Sequence, residues 1–163
     1  MFKRRFLFAA TVIVVLAGCA STSHSVSVSD TLAAQPELTT LNGLIVKAGL
    51  TDTLKATGPF TVFAPTNEAF AKVPAKTMEA LVSDPAKLKA MLTYHVIPGK
   101  LTVVNVKNGN GKTVKTVNGA NLALSRAGDY VTVKEALVKT PDIYASNGVV
   151  HLVDSVLLPP AKR

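Results

Sequence analysis

Tryptophan is absent from the 163-residue chain, and aromatic residues make up only 6% of it. Aliphatic side chains must therefore fill most of any core. Cysteine occurs once, at Cys19, so no disulfide can form within the chain. Charged residues are scarce at 17% against 48% hydrophobic, a balance that excludes intrinsic disorder. No uninterrupted run of five lysines or arginines occurs, and no basic stripe is interleaved with stacking aromatics. Nucleic acid is therefore not an expected partner. Also missing are a Gly-x-Ser-x-Gly elbow, a glycine-rich loop opening a helix, and any His-x-His or His-x-x-x-His pair. Hydrolytic, phosphate-binding and metal chemistry each lack their usual spacing, and no cofactor is expected.

What is present begins with the amino terminus. Lys3, Arg4 and Arg5 precede a mostly apolar segment of 12 residues, Phe6–Ala17. That layout is a secretory signal. The segment is too short to span a bilayer, which takes about 20 residues. Without those three charges, fifteen basic residues face ten acidic ones, a net +5. These lysines are scattered, as on an ordinary solvated basic surface. About 145 residues remain, enough for one domain that buries roughly 68–70% of its unfolded surface.

Leu16-Ala17-Gly18-Cys19 resembles the bacterial lipoprotein box. The resemblance implies that residues 1–18 are removed and that Cys19 becomes a lipidated first residue. Diacylglycerol would sit on its thiol and an acyl chain, such as palmitate, on its amine. Several chains at about 0.8 kcal/mol per buried CH₂ anchor firmly. Ala20 and Ser21 follow, with no Asp at the second mature position, a pattern similar to outer-membrane sorting in a Gram-negative host. The expected location is extracytoplasmic, with the membrane as a partner through the anchor. Residues 19–29 are Ser- and Thr-rich and read as a tether, with His24 solvated in it.

The pattern then divides in two. Leu38, Leu41, Leu44, Ile45 and Ala48 recur at helical spacing. Thr39 or Thr40 is the expected cap of that helix, Gly49 its close, and Leu50 and Leu54 a short continuation. Gly58–Phe70, GPFTVFAPTNEAF, reads as a buried strand from Phe60 to Ala64, a stop at Pro65, and a helix capped by Thr66 or Asn67. A short helix over Thr77–Val82 follows. Asp84 and Pro85 then open another helix, which delivers Tyr94 and His95 to its end.

From Lys100 on, the expectation is strands. They are Leu101–Val106, Lys112–Val117, Asn121–Ser125, Tyr130–Val133, Glu135–Lys139, Asp142–Ala145 and Val149–Leu158. Turns at Asn108-Gly109, Asn110-Gly111, Asn118-Gly119, Gly128-Asp129 and Asn147-Gly148 separate them. Helices first and strands later imply an α+β fold with the helices packed on an antiparallel sheet.

Three stretches, in order, resemble the fasciclin domain family. Gly58–Phe70 is similar to its first motif, Tyr94-His95 with Val96–Lys100 to its tyrosine–histidine motif, and Asn147–Asp154 with Leu157-Leu158-Pro159 to its second motif. The resemblance covers about Val26 to Pro159 and implies a fasciclin-like wedge over residues 30–159, followed by a tail at 160–163. No internal repeat is visible, so one module is expected.

The polar residues singled out are Tyr94, His95, Asn147 and His151. They are either hydrogen-bonded anchors in the core or part of a groove that binds a partner. In animal members of the family, the tyrosine–histidine region is associated with cell adhesion. His151, Asp154 and Ser155 invite a triad reading, but residues i and i+3 of a strand face opposite sides. Asp142 and Asp154 could meet in space without implying a metal. The leading expectation is thus a lipid-anchored, non-catalytic adhesion or surface-interaction protein, with an envelope or surface protein or glycan as partner. The alternative is a module that binds a small molecule, such as a pigment, haem or lipid-like compound, beside Tyr94 and His95.

Overall fold

The computed structural model describes residues 26–106 and 111–160. Cys19, His24, the Asn108-Gly109 turn and Asn110 lie outside them.

The architecture is built around β1 (Phe60–Pro65), the expected buried strand. It lies between β2 (Val96–Pro98) and β7 (Gly148–Val153) in a sheet ordered β2-β1-β7-β6-β5-β4-β3. The others are β3 (Lys112–Lys115), β4 (Asn121–Ala127), β5 (Tyr130–Val133) and β6 (Ala136–Ala145). β1 runs parallel to β7, with Thr61 opposite Val149 and Ala64 opposite Leu152. Every other pairing is antiparallel. The α+β class is as expected, but the sheet is mixed rather than purely antiparallel. β1 arrives from the helical half and inserts beside the last strand, where only the parallel direction continues its path.

Both faces of β1 and β7 are buried, which explains their near-continuous apolar runs. On one face Val62, Ala64, Val150 and Leu152 join Leu41, Ile45, Leu54, Leu88, Met91 and Leu92 from the helices. On the other, Phe63 and Val153 join Tyr94, Leu122, Leu124, Val131 and Val133 inside the curl of the sheet. The curl is drawn in where Val117 N–H donates to the Val96 carbonyl at 2.8 Å. Both cores are built from residues between Val28 and Leu157.

The helices are α1 (Val28–Ala34), α2 (Thr39–Lys47), α3 (Thr51–Lys55), α4 (Asn67–Ala71), α5 (Ala75–Ser83) and α6 (Pro85–Tyr94). Ser27 caps α1 in a reciprocal box with Asp30, and Val28 is fully buried. The tether therefore gives way to packed structure before Ser29, and the folded part starts ahead of residue 30. Thr66 Oγ1 caps α4 through Ala69 N–H. Neither Thr39 nor Thr40 caps α2. Instead the side-chain Oδ1 of Asn67 accepts Thr40 N–H at 3.0 Å, so Thr66 and Asn67 each cap a different helix. Asp84 caps α6 through Ala86 and Lys87 N–H, as expected.

Three strand expectations are corrected. Leu101–Val106 is a 3-10 turn at Val103–Asn105 flanked by extended residues. Its backbone groups are taken by side chains. Leu101 N–H goes to Thr61 Oγ1, and Val103 N–H goes to the Asp142 carboxylate. Glu135–Lys139 and Asp142–Ala145 are one strand, β6, with register shifts at Thr140 that absorb Pro141. The last strand stops at Val153 rather than Leu158, and beyond it Leu157 N–H goes to His95 Nε2.

Candidate functional site

Tyr94 ends α6 and His95 is its C-cap, so helix length alone delivers both to the interface of the two cores. The Tyr94 ring packs inside the sheet curl, and its hydroxyl donates to the Asn121 carbonyl at 3.2 Å. Burial pushes its pKa up. His95 is also buried. Its Nδ1 meets the Met91 carbonyl at 2.8 Å, and its Nε2 accepts Leu157 N–H at 3.0 Å. Only the neutral ring with hydrogen on Nδ1 satisfies both. Burial, opposed by the Met91 bond, brings its pKa down to about 4.

His151 lies on β7 and stacks on Phe63 with ring centroids 5.3 Å apart. It uses the opposite tautomer. Nδ1 accepts Asp142 N–H at 3.0 Å, and Nε2 donates to the Leu101 carbonyl at 2.8 Å. Asp142 takes a positive φ of 53° to present that N–H, and its carboxylate stands 3.9 Å from Nδ1. Burial lowers the pKa of His151 against the pull of Leu101 and Asp142. Asp154 takes other partners. It accepts Leu137 N–H at 2.8 Å and faces Lys72. Asp154 hydrogen-bonds Ser155 but not His151, so the three form no relay, in keeping with strand parity, and Asp142 and Asp154 serve separate sites.

Asn147 is a hub in the turn before β7. Its side-chain oxygen accepts Val28 N–H at 2.7 Å, its amide donates to Leu54 and Ala56 carbonyls at 2.8 and 2.9 Å, and its own carbonyl accepts Phe60 N–H at 2.9 Å. One residue thereby fastens α1, the end of α3 and the start of β1. Gly58 and Gly148 make this possible, since a Cβ on either would strike the backbone oxygen of Asn147 or Phe60 respectively.

The four residues therefore do not form one site. Tyr94 and His95 are chain neighbours at the end of α6, His151 stacks on Phe63 beside Leu101 in the core that also holds the Tyr94 ring but bonds other partners, and Asn147 closes one end of the sheet. No buried side-chain polar atom is left without a partner among the described residues. The cavity beside His95 holds about 50 Å³ and is lined chiefly by aliphatic residues such as Leu41, Ile45 and Leu92. Pigment- or haem-sized ligands need several hundred Å³. No three His, Cys, Asp or Glu side chains cluster as metal ligands among the described residues.

The Fasciclin domain profile matches residues 36–159. The chain belongs to the fasciclin domain family. Protein sll1483 of Synechocystis is 41% identical over 143 residues, covering 86% of this chain and 78% of that one. Immunogenic protein MPB70 of Mycobacterium bovis is 39% identical over 131 residues, covering 77% of this chain but only 65% of MPB70. Human periostin is 30% identical, and this chain spans 17% of it. Among solved structures, the FAS1 domain pair of the insect cell adhesion molecule Fasciclin I superposes with a TM-score of 0.65 at 20% identity, over 82% of this chain and 51% of that one.

Within this fasciclin fold, sequence reasoning named Asp142 and Asn67 but not their partners, His151 for the one and Thr40 for the other. Asp142 has a signal, the Pro141-Asp142 pair in a strand of otherwise regular pattern. Asn67 has none beyond its place next to a cap, because its partner lies 27 residues away.

Proposed function

We propose that this chain is a lipid-anchored, extracytoplasmic adhesion or surface-interaction module that works without catalysis. One observation carries the non-catalytic part. The imidazoles of His95 and His151, the Tyr94 hydroxyl and the Asn147 amide are spent on the chain's own backbone. A general base needs a free nitrogen within hydrogen-bond reach of its substrate. These groups hold the wedge together, and a partner protein or glycan meets the surface they support. The lipobox resemblance at Cys19 supports the anchor, and no helix among the described residues is long and apolar enough to cross a membrane. The adhesive role draws on the likeness to the insect adhesion molecule Fasciclin I.

The test compares cells producing the native chain, Cys19→Ser, or neither. The native chain is expected in the membrane fraction and raises attachment of cells to one another or to a surface. Cys19→Ser is expected to leave the membrane and lose that gain. Undiminished attachment with Cys19→Ser contradicts the reading. So does a hydrolase activity that vanishes in His151→Ala.

A further inference from the structure

Val26 is the first described residue, and its carbonyl accepts Ser146 N–H at 2.8 Å. This places the exit of the tether beside the Asn147 hub. An open groove of about 580 Å³ lies there, lined by Ser27, Lys55, Gly58, Pro59, Lys100 and Asn147 among others. Lys100 Nζ stands 5.1 Å from the centre of the Tyr144 ring. Tyr144 is 63% exposed and Val26 49% exposed. Neither Lys55 nor Lys100 forms an ion pair among the described residues. The acid that feels Lys55 is Asp30, and its carboxylate is already bound by Ser27 Oγ at 2.6 Å.

We propose that this face docks on the anionic headgroups of the membrane that holds the protein, with Lys55 and Lys100 contacting lipid phosphate and Tyr144 seated at the interface. The proposal rests on the lipid-anchor reading above. Seven chain steps separate Cys19 from Val26, so the face lies at most about 25 Å from the anchored residue. Attraction between lysines and an anionic leaflet acts within about a Debye length. The tether keeps the face at that range and makes the second contact intramolecular. Tyrosine suits the headgroup layer because its ring is apolar and its hydroxyl stays wet. β1 and β7 both run away from this end, so docking here turns the Pro65 and Val153 end outward.

The experiment uses the unlipidated fragment from Ala20 to Arg163, which contains every core residue. It is sedimented with vesicles of phosphatidylcholine containing about 30% phosphatidylglycerol, and with pure phosphatidylcholine. Binding is expected only to the anionic vesicles and weakens with salt. Each lysine is expected to contribute about fivefold, so Lys55→Gln with Lys100→Gln lowers binding about 25-fold. Lys72→Gln with Lys139→Gln, at the Pro65 and Val153 end where these lysines face Asp154 and Glu68, leaves it unchanged. Circular dichroism confirms that both pairs fold. No binding to the anionic vesicles overturns the proposal, as does equal binding to neutral ones or an equal loss in the control pair. A separate mass measurement on Cys19 reports on the anchor, so failure of the face and failure of the anchor are distinguishable.

Discussion

The Nε2 atom of His95 accepts the backbone N–H of Leu157, 62 positions further along the chain, at 3.0 Å. The bond ties the carboxyl-terminal segment to the end of α6 and fixes which nitrogen carries hydrogen. His95→Ala orphans that N–H in the core and leaves a hole. An unsatisfied buried donor costs about 1–3 kcal/mol, so the variant is expected to lose at least that much in urea denaturation. An unchanged midpoint would show that the bond contributes nothing.

The same residue sets a pH dependence. Its folded pKa is about 4 against an ordinary 6.5, so the unfolded chain binds more protons between those values. The stability is fully present above about 6.5 and is lost as pH falls towards about 4, by an amount on the order of 3 kcal/mol. His151, shifted the same way by burial, steepens the loss. Stability measured over this window is expected to fall with acid in the native chain and to fall less in His95→Ala. A native profile that is flat across the window contradicts the burial argument.

Asn147→Ala removes three side-chain hydrogen bonds. At about 1 kcal/mol net for each, the expected cost is roughly 2–4 kcal/mol. Amide exchange at Val28 should speed up most, since that N–H loses its acceptor. Exchange that is raised everywhere equally would argue against a local hub.

Glycine substitutions are expected to split by position. Gly58→Ala and Gly148→Ala place a methyl against backbone oxygens, which cannot swing aside as a side chain can. Both should lose several kcal/mol or fail to fold. Gly43→Ala, inside α2 with nothing within 4 Å, is expected to stabilise by about 0.5–1 kcal/mol. Thermal melts of the three decide it.

Much of this fold was legible because its signals are local. Pro59 and Pro65 bracket the buried alternation of β1, Asp84 and Pro85 open α6, and helix length carries Tyr94 and His95 to their places. What stayed hidden depends on distant partners. The segment at Leu101 has the β-branched composition of a strand, yet Thr61, Asp142 and His151 claim its backbone groups. The parallel placing of β1 beside β7 likewise has no local mark. For the polar residues, the sequence held two readings open, core anchor or groove. Hydrogen-bond partners bear on that choice, because residue type alone does not tell a bonded imidazole from a free one.

Heteronuclear NMR of the His95 and His151 rings tests the account most directly. His95 is expected neutral with hydrogen on Nδ1, and His151 neutral with hydrogen on Nε2. His95 should keep that form until the pH approaches about 4, and His151 should titrate below the ordinary value for histidine. A ring that titrates near 6.5, or that carries its hydrogen on the other nitrogen, is free to do chemistry and contradicts the assignment of these residues to the scaffold.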